Sequence, residues 1–224
     1  MDNPLKIDIY CERVDPSFWA EPVNAVTNLA FLIAALICWR ASAGRRDALA
    51  VILILILVAI GIGSFLWHTV AESWAGAADT IPILLFILVY LYAACVRYLG
   101  APVWAAALAP FAFIGASIGF SMAWKTLLPS ANGSESYFPV FILLVAFGFY
   151  LRARGHPAAA ALLTGAALLA VSLMFRSIDD MICNAAPIGT HFLWHIINGL
   201  LLGVVLMGFI RHGARQLAPA STQG

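Results

Sequence analysis

His191 and His195 stand four apart in G-T-H-F-L-W-H-I-I-N-G, residues 189 to 199, at the head of the last long apolar segment. On a helix this spacing projects both rings from one face, about one turn apart. Such a pair is a common helical way to offer two nitrogens to a metal, and an ionisable residue inside a membrane-length segment points to function. Two ligands do not make a site, and two core histidines bonded to neighbouring helices would be the plainer arrangement. Two further stretches supply what is missing. G-I-G-S-F-L-W-H sets Ser64 and His68 one turn apart on one face, and A-A-D-T-I-P places Asp79 where the next segment opens. Three histidine nitrogens with an open fourth position form the ligand set of a catalytic zinc, and an aspartate beside them can orient or deprotonate the attacking water. Ser64 also has the simpler role of bonding back to a carbonyl one turn earlier, and Asp79 that of a helix N-cap.

The elements that must bring these residues together are membrane-spanning helices. The chain has 224 residues, 63% of them hydrophobic and only 10% charged, with a mean hydropathy of +0.95. Soluble domains carry about 25% charged residues. The apolar runs are long and continuous and lack the alternation of a barrel strand, so the spanning form is helical. Seven segments reach the length of about 20 residues that crosses a bilayer. They are read as 23–41, 48–68, 79–98, 101–123, 136–152, 157–175 and 189–210, preceded by an acidic arm over 1–22 and followed by a disordered tail over 213–224. The catalytic domain is then 23–212. The formal net charge of +1 argues neither for nor against a nucleic-acid partner, and because no basic stripe with interleaved aromatics occurs, none is expected. Asp2, Asp8, Glu12 and Asp15 make the N-terminus acidic where a signal peptide is basic, so no cleaved signal is expected.

Loop charges set the orientation. One face carries Arg40, Arg45, Arg46, Arg97, Arg152, Arg154, Arg211 and Arg215 against the single acid Asp47; the other carries Lys6, Arg13, Lys125 and Arg176 with the remaining acids. The arginine-rich face is expected to be cytoplasmic, with the N-terminus outside. Ser64, His68, Asp79, His191 and His195 then share one level in the outer half of the membrane, with Asp79 in the first turn of its helix. His156 and His212 lie with the arginines on the inner face. Glu72, in a short outer loop, reads as solvated. Cys38 and Cys95 read as small buried hydrophobes, whereas Cys11 and Cys183 both face the oxidising outside and can pair. Asn132-Gly133-Ser134 is an outer-face glycosylation sequon, relevant in a eukaryotic source.

With these residues assembled, the sequence resembles the alkaline ceramidase family of seven-helix membrane hydrolases. The pattern S-x-x-x-H (Ser64, His68), an aspartate opening the next helix (Asp79) and H-x-x-W-H (His191, Trp194, His195) is shared with a wider superfamily that includes adiponectin receptors. The stretches E-P-V-N-A-V-T-N (Glu21 to Asn28) and I-D-D-M-I-C (Ile178 to Cys183) are similar to those of the ceramidases themselves. The resemblance implies zinc on His68, His191 and His195, a water activated by Asp79, and Ser64 holding or polarising an amide. It also implies calcium at the acidic arm, for which Asp8, Glu12, Asp15 and Glu21 form a chemically sensible oxygen set; a solvated acidic arm is the alternative.

The expected protein is an all-α membrane protein, a seven-transmembrane helix bundle, acting as a zinc-dependent amidohydrolase on a ceramide-like lipid drawn from the bilayer. Two other readings stay open at this point, a receptor with a structural zinc and a transporter with a metal site as its filter. The inner halves of the helices offer almost no polar residues, which disfavours a transport path.

Overall fold

The computed structural model describes residues 6–44 and 47–213. Arg45, Arg46, Arg215 and the tail from 214 onward, used above for topology, lie outside the described residues. The described chain is helical: α1 Pro22–Thr27, α2 Leu29–Ala41, α3 Ala48–Val70, α4 Ser73–Tyr98, α5 Val103–Leu127, a 3-10 turn Ser134–Tyr137, α6 Phe138–Ala153, α7 Ala159–Ile182 and α8 His191–His212. Taking α1 with α2, and the 3-10 turn with α6, seven helical spans are long and apolar enough to cross a membrane.

Three boundaries differ from the sequence reading, each for a local reason. The first span is not one helix. At Asn28 the side-chain Nδ2 donates to the carbonyl of Asn24 at 2.8 Å, and Thr27 Oγ1 donates to that of Val23 at 2.7 Å. Side chains that take backbone acceptors in this way interrupt the ladder. The third span starts at Ser73, not Asp79, because the polar-looking S-W-A-G-A-A is already helical. Asp79 therefore sits well inside α4 and is not its N-cap; Glu72 holds that position. Likewise α7 runs on to Ile182, carrying Arg176 and Asp179 as helical residues. Glu72 is not merely solvated either: it pairs with Lys6 at 2.7 Å and accepts from the Trp74 indole at 2.9 Å.

In lipid, helices gain little from burying apolar surface against each other, so close backbone approach matters more. α8 is the central helix, packed on α2, α7 and α3, with 56% of its apolar window buried against 6% for the peripheral α5. Gly199 and Gly203 of α8, one turn apart, lie against Ala30 and Ala34 of α2, where added Cβ atoms would meet the alanine Cβ atoms at 2.8 and 3.2 Å. On α3, a Cβ at Gly63 would fall 1.9 Å from the carbonyl oxygen of Ala78 on α4. Pro82 lacks the N–H that would bond that carbonyl in a regular helix. The α3–α4 crossing is thus tightest beside Ser64 and Asp79.

Gly63→Val should destabilise the purified protein by about 1–3 kcal/mol, the usual range for overpacking. Gly115→Ala, where nothing lies within 4 Å, should be neutral or better. Thermal unfolding in detergent checks both, and equal melting temperatures for the two variants would contradict this account of the crossing.

Candidate metal centre

The three histidines meet where α3 ends and α8 begins. The ring centroids of His68, His191 and His195 lie 4.6 to 5.2 Å apart, and each residue is at most 2% exposed. Ring nitrogens from the three fall within 4.8 Å of one another, making a group that could hold a metal ion. Each ring keeps one buried nitrogen without a hydrogen-bond partner: Nε2 of His68, Nδ1 of His191 and Nε2 of His195. A buried polar atom left unpaired carries a desolvation penalty of about 1–3 kcal/mol. Three buried rings whose nitrogens approach within 4.8 Å, each with one nitrogen unpaired, form a group that could hold a cation.

The remaining nitrogens of two rings are held from outside the group. His68 Nδ1 lies 2.6 Å from Glu21 Oε2, and His195 Nδ1 lies 3.1 Å from Thr27 Oγ1. Partners of this kind set the tautomer and orientation of a ligand ring. His191 is held differently, with the Tyr10 ring stacked on it at 3.8 Å between centroids. Ser64, one turn before His68, is 4% exposed and hydrogen-bonds the carboxylate of Asp79 across the α3–α4 crossing. Asp79 is not among the residues at ligand distance.

The four acids expected to hold calcium do not gather into a metal-binding group. Glu21 gives one oxygen to Arg13 Nε at 2.6 Å and the other to His68. Burial pushes its carboxyl above the ordinary range, while Arg13 and Asn24 pull it back. Both oxygens of Glu12 accept backbone N–H groups at the start of α1, from Val23 at 2.7 Å and Asn24 at 2.8 Å. Asp15 accepts from the Ser17 N–H at 2.7 Å, and Asp8 is exposed. Helix capping and ion pairing engage these carboxylates, and no grouping of them among the described residues supports the calcium expectation.

Several residues around the site were not singled out by sequence reasoning. Asp179 organises the entry to α8: Oδ1 accepts from Thr190 N at 2.6 Å and His191 N at 2.9 Å, and Oδ2 accepts from Cys11 N at 3.2 Å. A carboxylate at a helix N-terminus also complements the helix dipole. Gly189 precedes this turn with φ of +65°, and a Cβ there would sit 2.2 Å from Asp179 Oδ1. Cys11 and Cys183 form a disulfide, as expected, which fastens the arm beside Asp179. Arg176 lies over the Trp194 ring at 5.1 Å and the Tyr137 ring at 5.8 Å, and hydrogen-bonds Tyr10. Its backbone carbonyl accepts from Asn132 Nδ2 at 3.3 Å, and Ser134 is fully buried, so the sequon side chains pack the 3-10 turn onto α7. The I-D-D-M-I-C stretch was the available signal for Asp179; Arg176 was legible only as a charge just past the sixth apolar segment.

Asp179→Ala should leave three N–H donors unpaired and cost about 1–3 kcal/mol for each one that stays buried. Asp179→Asn, which keeps an acceptor oxygen, should cost distinctly less. Chemical or thermal unfolding of both variants tests this, and equal losses would show that the acceptor is not what matters.

A family model described as Ceramidase matches residues 9–222 of the chain. Comparison with curated proteins finds no match.

Proposed function

The chain belongs to the ceramidase family, and from that premise we propose that it is a zinc-dependent amidohydrolase cleaving the amide of a ceramide-like lipid into a sphingoid base and a fatty acid. The observation that carries the reading is the set of three unpartnered histidine nitrogens beside a Ser64–Asp79 pair. His68, His191 and His195 would hold the metal. Zinc bound there supplies Lewis acidity, polarising the amide carbonyl and making water a nucleophile near neutral pH. Asp79 accepts the proton of the attacking water as its oxygen bonds to the carbonyl carbon. It returns that proton to the nitrogen as the C–N bond breaks, so the amine leaves neutral and the acyl group leaves as the acid. Ser64 keeps the carboxylate aimed and can hold the amide oxygen.

The interior near the three histidines is mainly apolar, and the larger groove beside it has room for an acyl chain. Two apolar cavities of about 50 and 60 Å³ share Phe86, Ile87, Leu201 and Leu202; Trp194 and Asn198 lie in the first and Phe147 in the second. A groove of about 530 Å³ between α4 and α5 shares Ile83, Ile87 and Tyr137 with the first cavity, and adds Thr80, Ser121 and Lys125. A lipid amide would enter sideways through this groove while water reaches the metal from the arm side. The distribution of loop arginines supports placing that side outside the cytoplasm.

Purified protein incubated with a panel of N-acyl lipids should release sphingoid base and fatty acid, detected by mass spectrometry, and should stop on zinc chelation. Asp79→Asn should keep its zinc and lose about 10²–10⁴-fold in turnover, the usual contribution of a general acid–base group. Tight zinc without turnover of any lipid would instead favour a receptor. In sealed, oriented vesicles, activity should follow the pH on the arm side and respond to an impermeant chelator there; dependence on the opposite side alone would reverse the orientation.

A further inference from the structure

Among the described residues of the N-terminal arm, Arg13 and Glu21 are the charged residues turned inward. Arg13 is almost fully buried, 4% exposed, while the adjacent Val14 is 81% exposed. An isolated apolar residue left in water beside a buried guanidinium is the reverse of what hydrophobicity dictates, so something specific holds Arg13 in. Its three nitrogens reach three different acceptors. Nε donates to Glu21 Oε1 at 2.6 Å, Nη2 to the backbone carbonyl of His68 at 3.1 Å, and Nη1 to that of Asp15 at 3.5 Å.

Two of these contacts converge on a single residue. The carbonyl of His68 lies in the last turn of α3, where acceptors have no helical donor and a cation is favoured. The other oxygen of Glu21 holds His68 Nδ1 at 2.6 Å, which leaves Nε2 as the nitrogen facing the other two histidines. We propose that Arg13 is a positioning residue for the metal ligand His68, gripping its main chain directly and its ring through Glu21, so that the N-terminal arm is part of the metal site. The inference rests on the reading that His68, His191 and His195 hold zinc.

The physical logic is that of a buried ion pair broken on one side. Without the guanidinium, the Glu21 carboxylate is left in an apolar setting with no fixed positive charge, held, apart from His68 itself, only by the Asn24 amide, which donates to Oε2 at 3.1 Å. The ring of His68 is then free to turn, and the preorganised metal geometry is lost. A lysine cannot substitute fully, because a single ammonium does not reproduce a planar fork that reaches a carboxylate and two carbonyls in different directions.

The test is zinc retention by the purified, zinc-loaded full chain, followed as transfer to a chromogenic chelator and compared with thermal unfolding of the same samples. Arg13→Gln and Glu21→Gln should each weaken zinc retention about 10–100-fold, the range for partners that orient a ligand. The double variant should match the worse single variant, since both act through one path. Arg13→Lys should fall between wild type and Arg13→Gln. Lys6→Ala, which removes the arm's more exposed pairing with Glu72, should retain zinc as wild type does. Wild-type retention in Arg13→Gln, or effects that multiply in the double variant, would overturn the proposal. Should Arg13→Gln not fold, Arg13→Lys combined with Glu21→Gln makes the same comparison. A wild-type chain that binds no zinc would refute the underlying metal assignment instead, and the two failures are told apart by that control.

Discussion

Three ring nitrogens without partners, packed into an apolar bundle, are the constraint on which the rest of this structure depends. Each would be more stable bonded to water, and each is shielded from it. They stay converged because every helix that carries one is fixed by something other than the histidine. α3 is fixed by its crossing with α4 at Gly63, and α8 by the Asp179 carboxylate under its first turn. The rings themselves are turned by Glu21, Thr27 and Tyr10, all supplied by the arm and the first short helix. A segment with no regular secondary structure of its own is therefore what aims two of the three ligands.

The bundle separates two tasks by depth. Around the three histidines the packing is polar and specific, with hydrogen bonds among Arg13, Glu21, His68, Thr27 and His195. Below it, Phe86, Ile87, Leu201 and Leu202 line narrow, mainly apolar space. An amide with one or two long chains has the same division, a compact polar centre and a featureless tail. Complementarity of this kind lets the tail contribute binding while the polar end alone decides chemistry.

The spans and the histidine triad were legible because hydropathy and i, i+4 spacing are local properties of the chain. Ser64 with His68, and His191 with His195, needed only helical geometry to be placed on common faces. The start of α4 was not legible: S-W-A-G-A-A has no strong apolar period, and only packing on α3 makes it helix. The partners of the acids were hidden more deeply. Asp8, Glu12, Asp15 and Glu21 look alike as a cluster, yet one is exposed, one caps a helix, one closes a turn and one is buried on an arginine. Nothing in spacing distinguishes those fates, because each depends on a contact formed only after the helices assemble.

The bond between Cys11 and Cys183 joins positions 172 residues apart. During synthesis the arm emerges first, and the cysteine it must meet emerges after six spans have been made. His191 and His195 follow later still, only eight and twelve residues beyond Cys183. Tyr10 and Cys11 of the arm must then wait through nearly the whole of translation and membrane insertion for His191 and Cys183, whereas Arg13 and Glu21 can meet each other and His68 once the second span is made. Assembly at the site thus partly reverses chain order: Tyr10 and Cys11, made before all seven spans, are among the last residues to be placed, and a chain arrested before its seventh span would have a bundle but no centre.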